Sequence, residues 1–268
     1  MATLSAEALS GLRVLVTRPS ERAAELITAL QGAGAQALHL PALEIAPLDN
    51  DKHASALLQA SQCILDLDHY DDIIFISVNA VEYGMAMIDN YWPQLPVRQS
   101  YWAIGKATKD ALAQHGIQAC GGDGAMNSES LLAHADLQSL SHRKFAIVRG
   151  IGGRETLADT LRTRGARVDY IECYQRQAPA GSNAERLNAI AAANINCSVV
   201  NSGESLHNLT SWLPSNHRLF QCPIITPGER VAALAAKLGY ARTVAAENAS
   251  LDATLSALLA ARSAALSL

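Results

Sequence analysis

The side chains best suited to chemistry stand in short polar turns that follow apolar runs. Arg18 follows the run 13–17, Ser77 and Asn79 follow 72–76, and Gly105 and Thr108 follow 101–104. Arg149, Gly150 and Gly152 close the run that begins at Lys144, Ser202 and Gly203 follow 198–201, and Gly228 and Arg230 follow 223–226. Small residues at such turns leave helix-starting N–H groups open to an anion, and a guanidinium can grip a carboxylate through two parallel hydrogen bonds. Tyr174, in Cys173-Tyr174-Gln175-Arg176, adds a phenol that can donate a hydrogen bond or a proton. The pattern points to binding an anion, with mild acid assistance at one place. Plainer readings exist for each residue: Ser, Thr and Gly begin helices for capping reasons alone, a tyrosine at a strand end usually packs, and an arginine there can pair with a neighbouring glutamate.

The elements that must carry these turns are duplicated. The segment from Arg13 and the segment from Lys144 share one layout at a constant offset of 131, which places Arg18 on Arg149, Leu26 on Leu157, Leu30 on Leu161 and Gly34 on Gly165. Each reads as strand, arginine-bearing turn, helix, glycine stop and second extended run, a β-α-β unit. Leu43 stands where the second copy has Tyr174. Later turns repeat at slightly shorter offsets, Ser77 with Ser202 at 125 and Gly105 with Gly228 at 123. Strands are expected at 72–77, 101–104, 198–201, 223–226 and 242–245, with helices over 54–65, 185–193 and 250–261 and another opening at Met126 with Ser128 as its cap. The extended run 36–45, flanked by Pro41 and Pro47, reads as an edge strand or linker. Alternation of this kind predicts a doubly wound α/β protein with parallel sheets.

Composition narrows the function classes. A chain of 268 residues, 49% hydrophobic and 17% charged, has material for two cores, and its formal net charge of -4 argues against a nucleic-acid binder. The start MATLSAEALS lacks a basic, apolar leader and no apolar run is long enough to span a bilayer, so a cytoplasmic protein without membrane contact is expected. Cys63, Cys120, Cys173, Cys197 and Cys222 include no CxxC pair and read as small core residues. No HxxxH pair occurs, so no metal is assigned. The turn Gly150-Ile151-Gly152-Gly153 falls short of a dinucleotide loop, because Glu155 stands where the last glycine should be.

Taken in order, V-T-R-P near the N-terminus, D-x-I-x-F-x-S followed by N-A-V, A-I-G-K-A-T, R-G-x-G-G-R-x-x-L and a later S-G-E-S-L resemble the uroporphyrinogen-III synthase family over about Leu12 to Leu259. The resemblance implies two flavodoxin-like doubly wound parallel-sheet domains joined by a two-stranded linker. One domain would hold 1–36 and 180–268, the other 47–167, with 37–46 and 168–179 as linker strands, where a plain tandem reading would split the chain near Ser141. If the two domains face each other, their turns line one anion-binding cleft. The implied activity is closure of hydroxymethylbilane to uroporphyrinogen III with inversion of the last ring and loss of water, needing no cofactor; nothing in the sequence demands more than a monomer. By resemblance Tyr174 assists departure of the hydroxyl, Thr108 matches a threonine of the cleft, and Ser77 and Ser202 match serines of the two facing turns. One departure is Pro227-Gly228-Glu229-Arg230, where many members carry threonines, so a role carries over only for Gly228 and Arg230. The competing class is a non-catalytic two-domain binding protein for a small anion. A nucleotide-dependent regulator rests on the imperfect glycine turn alone.

Overall fold

In a computed structural model of the chain, residues 5–20, 23–121 and 128–267 are described. The first repeat forms strand β1 (Arg13–Val16), helix α1 (Ala24–Gly32) and strand β2 (Gln36–His39). Helix α1 has Ala23 as its N-cap, and Gly34 ends it with φ of 84°. The extended run 36–45 is not one strand. Leu40 N–H bonds Val16 O and Ala42 N–H bonds Thr17 O, but Pro41 between them has no donor, and the chain leaves the β1 ladder there. It pairs again as β3 (Glu44–Pro47), in a different sheet.

Next come α2 (Ala54–Leu65), β4 (Asp72–Phe75), α3 (Val78–Ile88), β5 (Ser100–Ala103), α4 (Lys106–Gln114), a short β6 (Cys120–Gly121) and α5 (Ser128–Leu132). Met126, expected to open that last helix, lies outside the described residues. The second repeat is β7 (Lys144–Gly150), α6 (Thr156–Thr163) and β8 (Arg167–Gln177). It is followed by α7 (Asn183–Ala192), β9 (Cys197–Val199), α8 (Gly203–Trp212), β10 (Pro223–Thr226), α9 (Glu229–Lys237), β11 (Arg242–Ala245) and α10 (Leu251–Leu266).

Two sheets result, ordered β11-β10-β9-β1-β2 and β3-β8-β7-β4-β5-β6. Numbered within itself the first runs 2-1-3-4-5, the doubly wound flavodoxin order. The second has the same order once β7-α6-β8 is counted first, with β3 added outside β8. Each β-α-β repeat therefore completes the three-strand set of the opposite half: β1 pairs with β9, and β7 with β4. The chain divides accordingly into compact units of 1–44 with 177–268 and 45–176. Of the stretches expected as linker strands, 37–39 lie in β2 and 168–177 in β8.

The continuous apolar strands are explained by helices on both faces of each sheet. In β1, Val14 and Val16 join one buried cluster with Leu26 and Leu258, while Leu15 joins another with Leu206 and Ile224. In β4, Ile73 and Phe75 face Val81 and Met85, and Ile74 faces Trp102 and Leu161. Each such leucine or isoleucine, fully buried, contributes about 1.5–3 kcal/mol. Asp72, at the amino end of β4, is fully buried and accepts hydrogen bonds from Trp102 Nε1 (2.8 Å) and Arg143 Nη2 (2.5 Å). Four of the five cysteines are buried as expected of core residues; Cys120 is exposed, because it opens the two-residue edge strand β6.

Candidate active site

In the unit 45–176 the switch point of the sheet lies between β7 and β4, and ligands in such sheets bind beyond the carboxyl ends of the strands at that point. A cavity of about 460 Å³ opens there, bordered by Ile76, by the turn 150–153 after β7 and by Tyr174 of β8.

Tyr174 reaches this place through an irregularity. β8 follows β7 residue for residue from Lys144↔Arg167 to Arg149↔Glu172, then skips Cys173 so that Gly150 faces Tyr174. The bulge brings Ile171, Cys173 and Tyr174 into one buried cluster, although alternation along a regular strand would send Tyr174 to the opposite face from Cys173. Gly150 makes room for it: a Cβ there would lie 2.4 Å from Tyr174 Cε2 and 2.7 Å from Cζ. The Ile151 N–H bonds the Tyr174 carbonyl at 2.8 Å, and the ring leans on Tyr83 with centroids 5.7 Å apart. Only 3% of Tyr174 is exposed, so it is more enclosed than a half-buried packing residue. Its hydroxyl lies 3.2 Å from Ser77 Oγ.

Ser77 is extended (φ -165°) and caps α3, its Oγ accepting the Ala80 N–H at 3.1 Å. Asn79 follows in the first turn of α3, half-buried and with no side-chain hydrogen bond among the described residues. Gly105 caps α4, and Thr108 in that first turn is buried, its N–H bonding Gly105 O.

Arg149 is 3% exposed and its donors are engaged inside its own loop. Nε bonds Gly150 O at 3.2 Å, Nη2 bonds Gly152 O, and Nη1 meets Glu155 Oε1 at 3.0 Å. The guanidinium also lies 4.6 Å from the centroid of the Tyr170 ring, whose hydroxyl donates to Glu155 Oε2. That hydrogen bond, and then Arg149, hold the Glu155 carboxyl below its usual range, while burial followed by the Glu155 contact raises the Tyr170 phenol. Burial pushes the Cys173 thiol up to about 12, which makes it inert as a nucleophile. The turn itself has Gly152 at φ 72° and Gly153 at φ 106°, and among the described residues the N–H groups of Gly152, Gly153 and Arg154 have no acceptor. Such a turn leads uncapped N–H groups into α6.

The remaining expected residues belong to the unit 1–44 with 177–268. Ser202 caps α8 as Ser77 caps α3, accepting the Ser205 N–H at 3.0 Å, and Ser205 Oγ donates to Asn201 Oδ1 at 2.9 Å. Gly203 opens α8, and Gly228, with φ of 153°, caps α9. Arg230 is exposed on α9. Arg18 is half-buried; its Nη2 bonds Ala249 O (2.8 Å) and Thr254 Oγ1 (3.1 Å), and its carbonyl accepts from His39 Nε2 at 2.9 Å.

Tyr174, Arg149, Gly150 and Gly152 thus line one cavity, with Ser77 against the Tyr174 hydroxyl, whereas Arg18, Ser202, Gly203, Gly228 and Arg230 sit at strand ends of the other sheet. Reading the turns alone missed Arg154 and Arg176, which also line the cavity. A signal was present, since Arg154 stands inside the glycine turn and Arg176 two residues past Tyr174.

A family model described as uroporphyrinogen-III synthase HemD matches residues 24–256. The chain belongs to the uroporphyrinogen-III synthase family. It is similar to uroporphyrinogen-III synthase of Escherichia coli strain K12, 36% identical over 256 residues that cover 92% of this chain and all of that one. A Synechococcus elongatus synthase is 26% identical over 216 residues, covering 80% of this chain and 79% of its own. Among solved structures, uroporphyrinogen-III synthetase of Helicobacter pylori 26695 superposes with a TM-score of 0.57 at 15% identity, covering 93% of this chain and 99% of that one. A Thermus thermophilus mutant synthase gives 0.56 at 15% identity, with 94% and 98% covered. The synthase family's fold is therefore the two-sheet doubly wound arrangement described here, and its members are cyclising lyases acting on a small molecule.

Proposed function

We propose that this chain is a uroporphyrinogen-III synthase that closes hydroxymethylbilane into uroporphyrinogen III. The observation that carries the reading is the bulge at Cys173, which holds a tyrosine hydroxyl against a helix-capping serine beside a glycine turn whose N–H groups lack acceptors.

The chemistry asks little of the protein at the bond-breaking step. The pyrrole nitrogen's electrons expel the terminal hydroxyl, which leaves as water once it receives a proton, and Tyr174 is the group assigned to assist it. Ser77 orients that phenol: Oγ already accepts the Ala80 N–H, which fixes the serine rotamer 3.2 Å from the tyrosine oxygen. One C–O bond breaks and a C–C bond forms at the substituted carbon of the last ring, giving a spiro intermediate. That carbon's original bond to the neighbouring methylene then breaks, the methylene joins the ring's free carbon, and the free carbon gives up its proton as the ring regains aromaticity. The larger task is geometric, since the substituted end of the last ring must be attacked in preference to the free end. Helix starts at Ser77, Gly105 with Thr108, the turn 150–153, Ser202 with Gly203, and Gly228 are the groups assigned to hold the carboxylates. Arg18 and Arg230 are assigned to the same task.

A monomer in the cytoplasm, acting without nucleic acid or membrane, is part of the proposal. The net charge of -4 supports the absence of nucleic acid, and among the described residues no helix is long and apolar enough to cross a membrane. The test is to supply purified protein with freshly made hydroxymethylbilane and separate the product isomers. Type III product is expected; type I alone, the spontaneous product, would count against catalysis and favour a non-catalytic anion-binding protein.

A further inference from the structure

Three arginines line the cavity beside Tyr174, and they are in opposite states. Arg149 is buried, and its three nitrogens are bonded to Gly150 O, Gly152 O and Glu155. Arg154 and Arg176 are exposed and form no hydrogen bond or ion pair among the described residues. Glu155, the acid nearest to Arg154 in sequence, is already held by Arg149 and Tyr170 and so does not neutralise it. Arg154 rises from the glycine turn, next to N–H groups that lack acceptors, and Arg176 follows Tyr174 along β8.

We propose that Arg154 and Arg176 are the residues of this cavity that bind substrate carboxylates, and that Arg149 does not touch substrate but positions the turn that carries Arg154. The inference rests on the synthase reading given above. A guanidinium that is 3% exposed, held by two carbonyls and already paired with a carboxylate has its charge met and little access for a second carboxylate, and breaking those bonds inside a buried site is costly. An exposed guanidinium loses only water on binding, and its planar fork matches a carboxylate. By drawing the carbonyls of Gly150 and Gly152 inward, Arg149 fixes the peptide planes of the turn. Because amide and carbonyl of a trans peptide point in opposite directions, the Gly153 N–H is then turned away from Arg149.

The test compares Arg154→Gln, Arg176→Gln and the double variant with Arg149→Lys, using hydroxymethylbilane kinetics at two salt concentrations and isomer analysis of the product. Arg98→Gln, which removes the same charge at the amino end of β5, is the control and is expected to match the parent. Each of the first two substitutions should raise KM about tenfold, and the double more, with kcat within about twofold and a weaker salt dependence of kcat/KM. Unfolding midpoints should not move, because neither side chain has a partner among the described residues. Arg176→Lys should recover part of the KM loss, as charge is kept and the fork is lost. Arg149→Lys should lower kcat and the unfolding midpoint with a smaller change in KM. Unchanged KM in both glutamine variants, or a KM effect at Arg149 larger than at either, overturns the assignment. If the parent protein yields no type III isomer, the synthase reading itself fails, and the glutamine variants are then irrelevant to it.

Discussion

Arg18 and Arg149 occupy equivalent positions after β1 and β7, yet their guanidinium groups go to different places. Arg18 reaches across to Ala249 O and Thr254 Oγ1 at the start of α10, while Arg149 folds into its own turn to meet Glu155. The neighbours explain the divergence. Where the second copy has Gly150 and Tyr174, the first has Pro19 and Leu43, so no aromatic hydroxyl stands near its capping serine. Ser202 finds Ser205 Oγ at 2.9 Å, whereas Ser77 finds the Tyr174 hydroxyl. The duplicated backbone supplies the same helix starts twice, and a few side chains decide which start lies against an aromatic hydroxyl. In the proposed reaction one half binds, and the other binds and supplies the phenol.

The comparison can be broken most directly at the tyrosine. Tyr174→Phe should lower kcat about 100-fold, the low end for loss of a general acid, with little change in unfolding midpoint. A rate equal to the parent's would take the phenol out of the mechanism and leave the two halves alike in role. The next largest effect is expected from Gly150→Ala. Its Cβ would sit 2.4 Å from the Tyr174 ring, so the ring or β7 must shift, at about 2 kcal/mol by denaturant melting and with a drop in kcat. Full stability together with full activity would mean that the ring has room elsewhere.

A sharper contrast comes from the paired serines. Ser77→Ala and Ser202→Ala each remove an N-cap and should each cost about 1 kcal/mol, but kcat should fall clearly only for Ser77→Ala, which also loses the Tyr174 contact. Equal kinetic losses would show that the tyrosine contact adds nothing. The smallest effect concerns pH. Glu155 has its carboxyl depressed in the folded state by Tyr170 and then Arg149, so its contribution is present above the ordinary glutamate value and is lost as pH falls through the depressed one. Because Glu155 is half exposed, that contribution is screened and stays below about 1 kcal/mol. In Glu155→Gln the acid limb of a melting-temperature profile should be shallower than in the parent; an identical limb would remove Glu155 as a brace of the turn.

The turns were legible because capping chemistry is local. Ser77, Ser202, Gly105 and Gly228 stand at helix starts as their residue types and the preceding apolar runs require. For Arg149 the sequence left two readings open, a grip on a ligand and a pair with a neighbouring glutamate, and the pair with Glu155 is present in the structure. Its partner Glu155 is six residues away and meets it only because Gly152 and Gly153 turn the chain back. Arg154 and Arg176 were overlooked although their places in the glycine turn and two residues past Tyr174 were visible, because the lack of a partner among the described residues leaves no mark in the sequence.

What the sequence determined by itself was the succession of strands, turns and helices and its duplication, since periodicity, glycine stops and caps act within a few residues. Tertiary structure decided which repeat completes which sheet and where Tyr174 points. β1 meets β9 through contacts such as Arg13 N–H to Asn196 Oδ1 at 2.8 Å, 183 residues apart, and apolar β strands are interchangeable as partners until the whole sheet is packed. The skip at Cys173 exists only in the pairing of β7 with β8, and no alternation of side chains along either strand announces it.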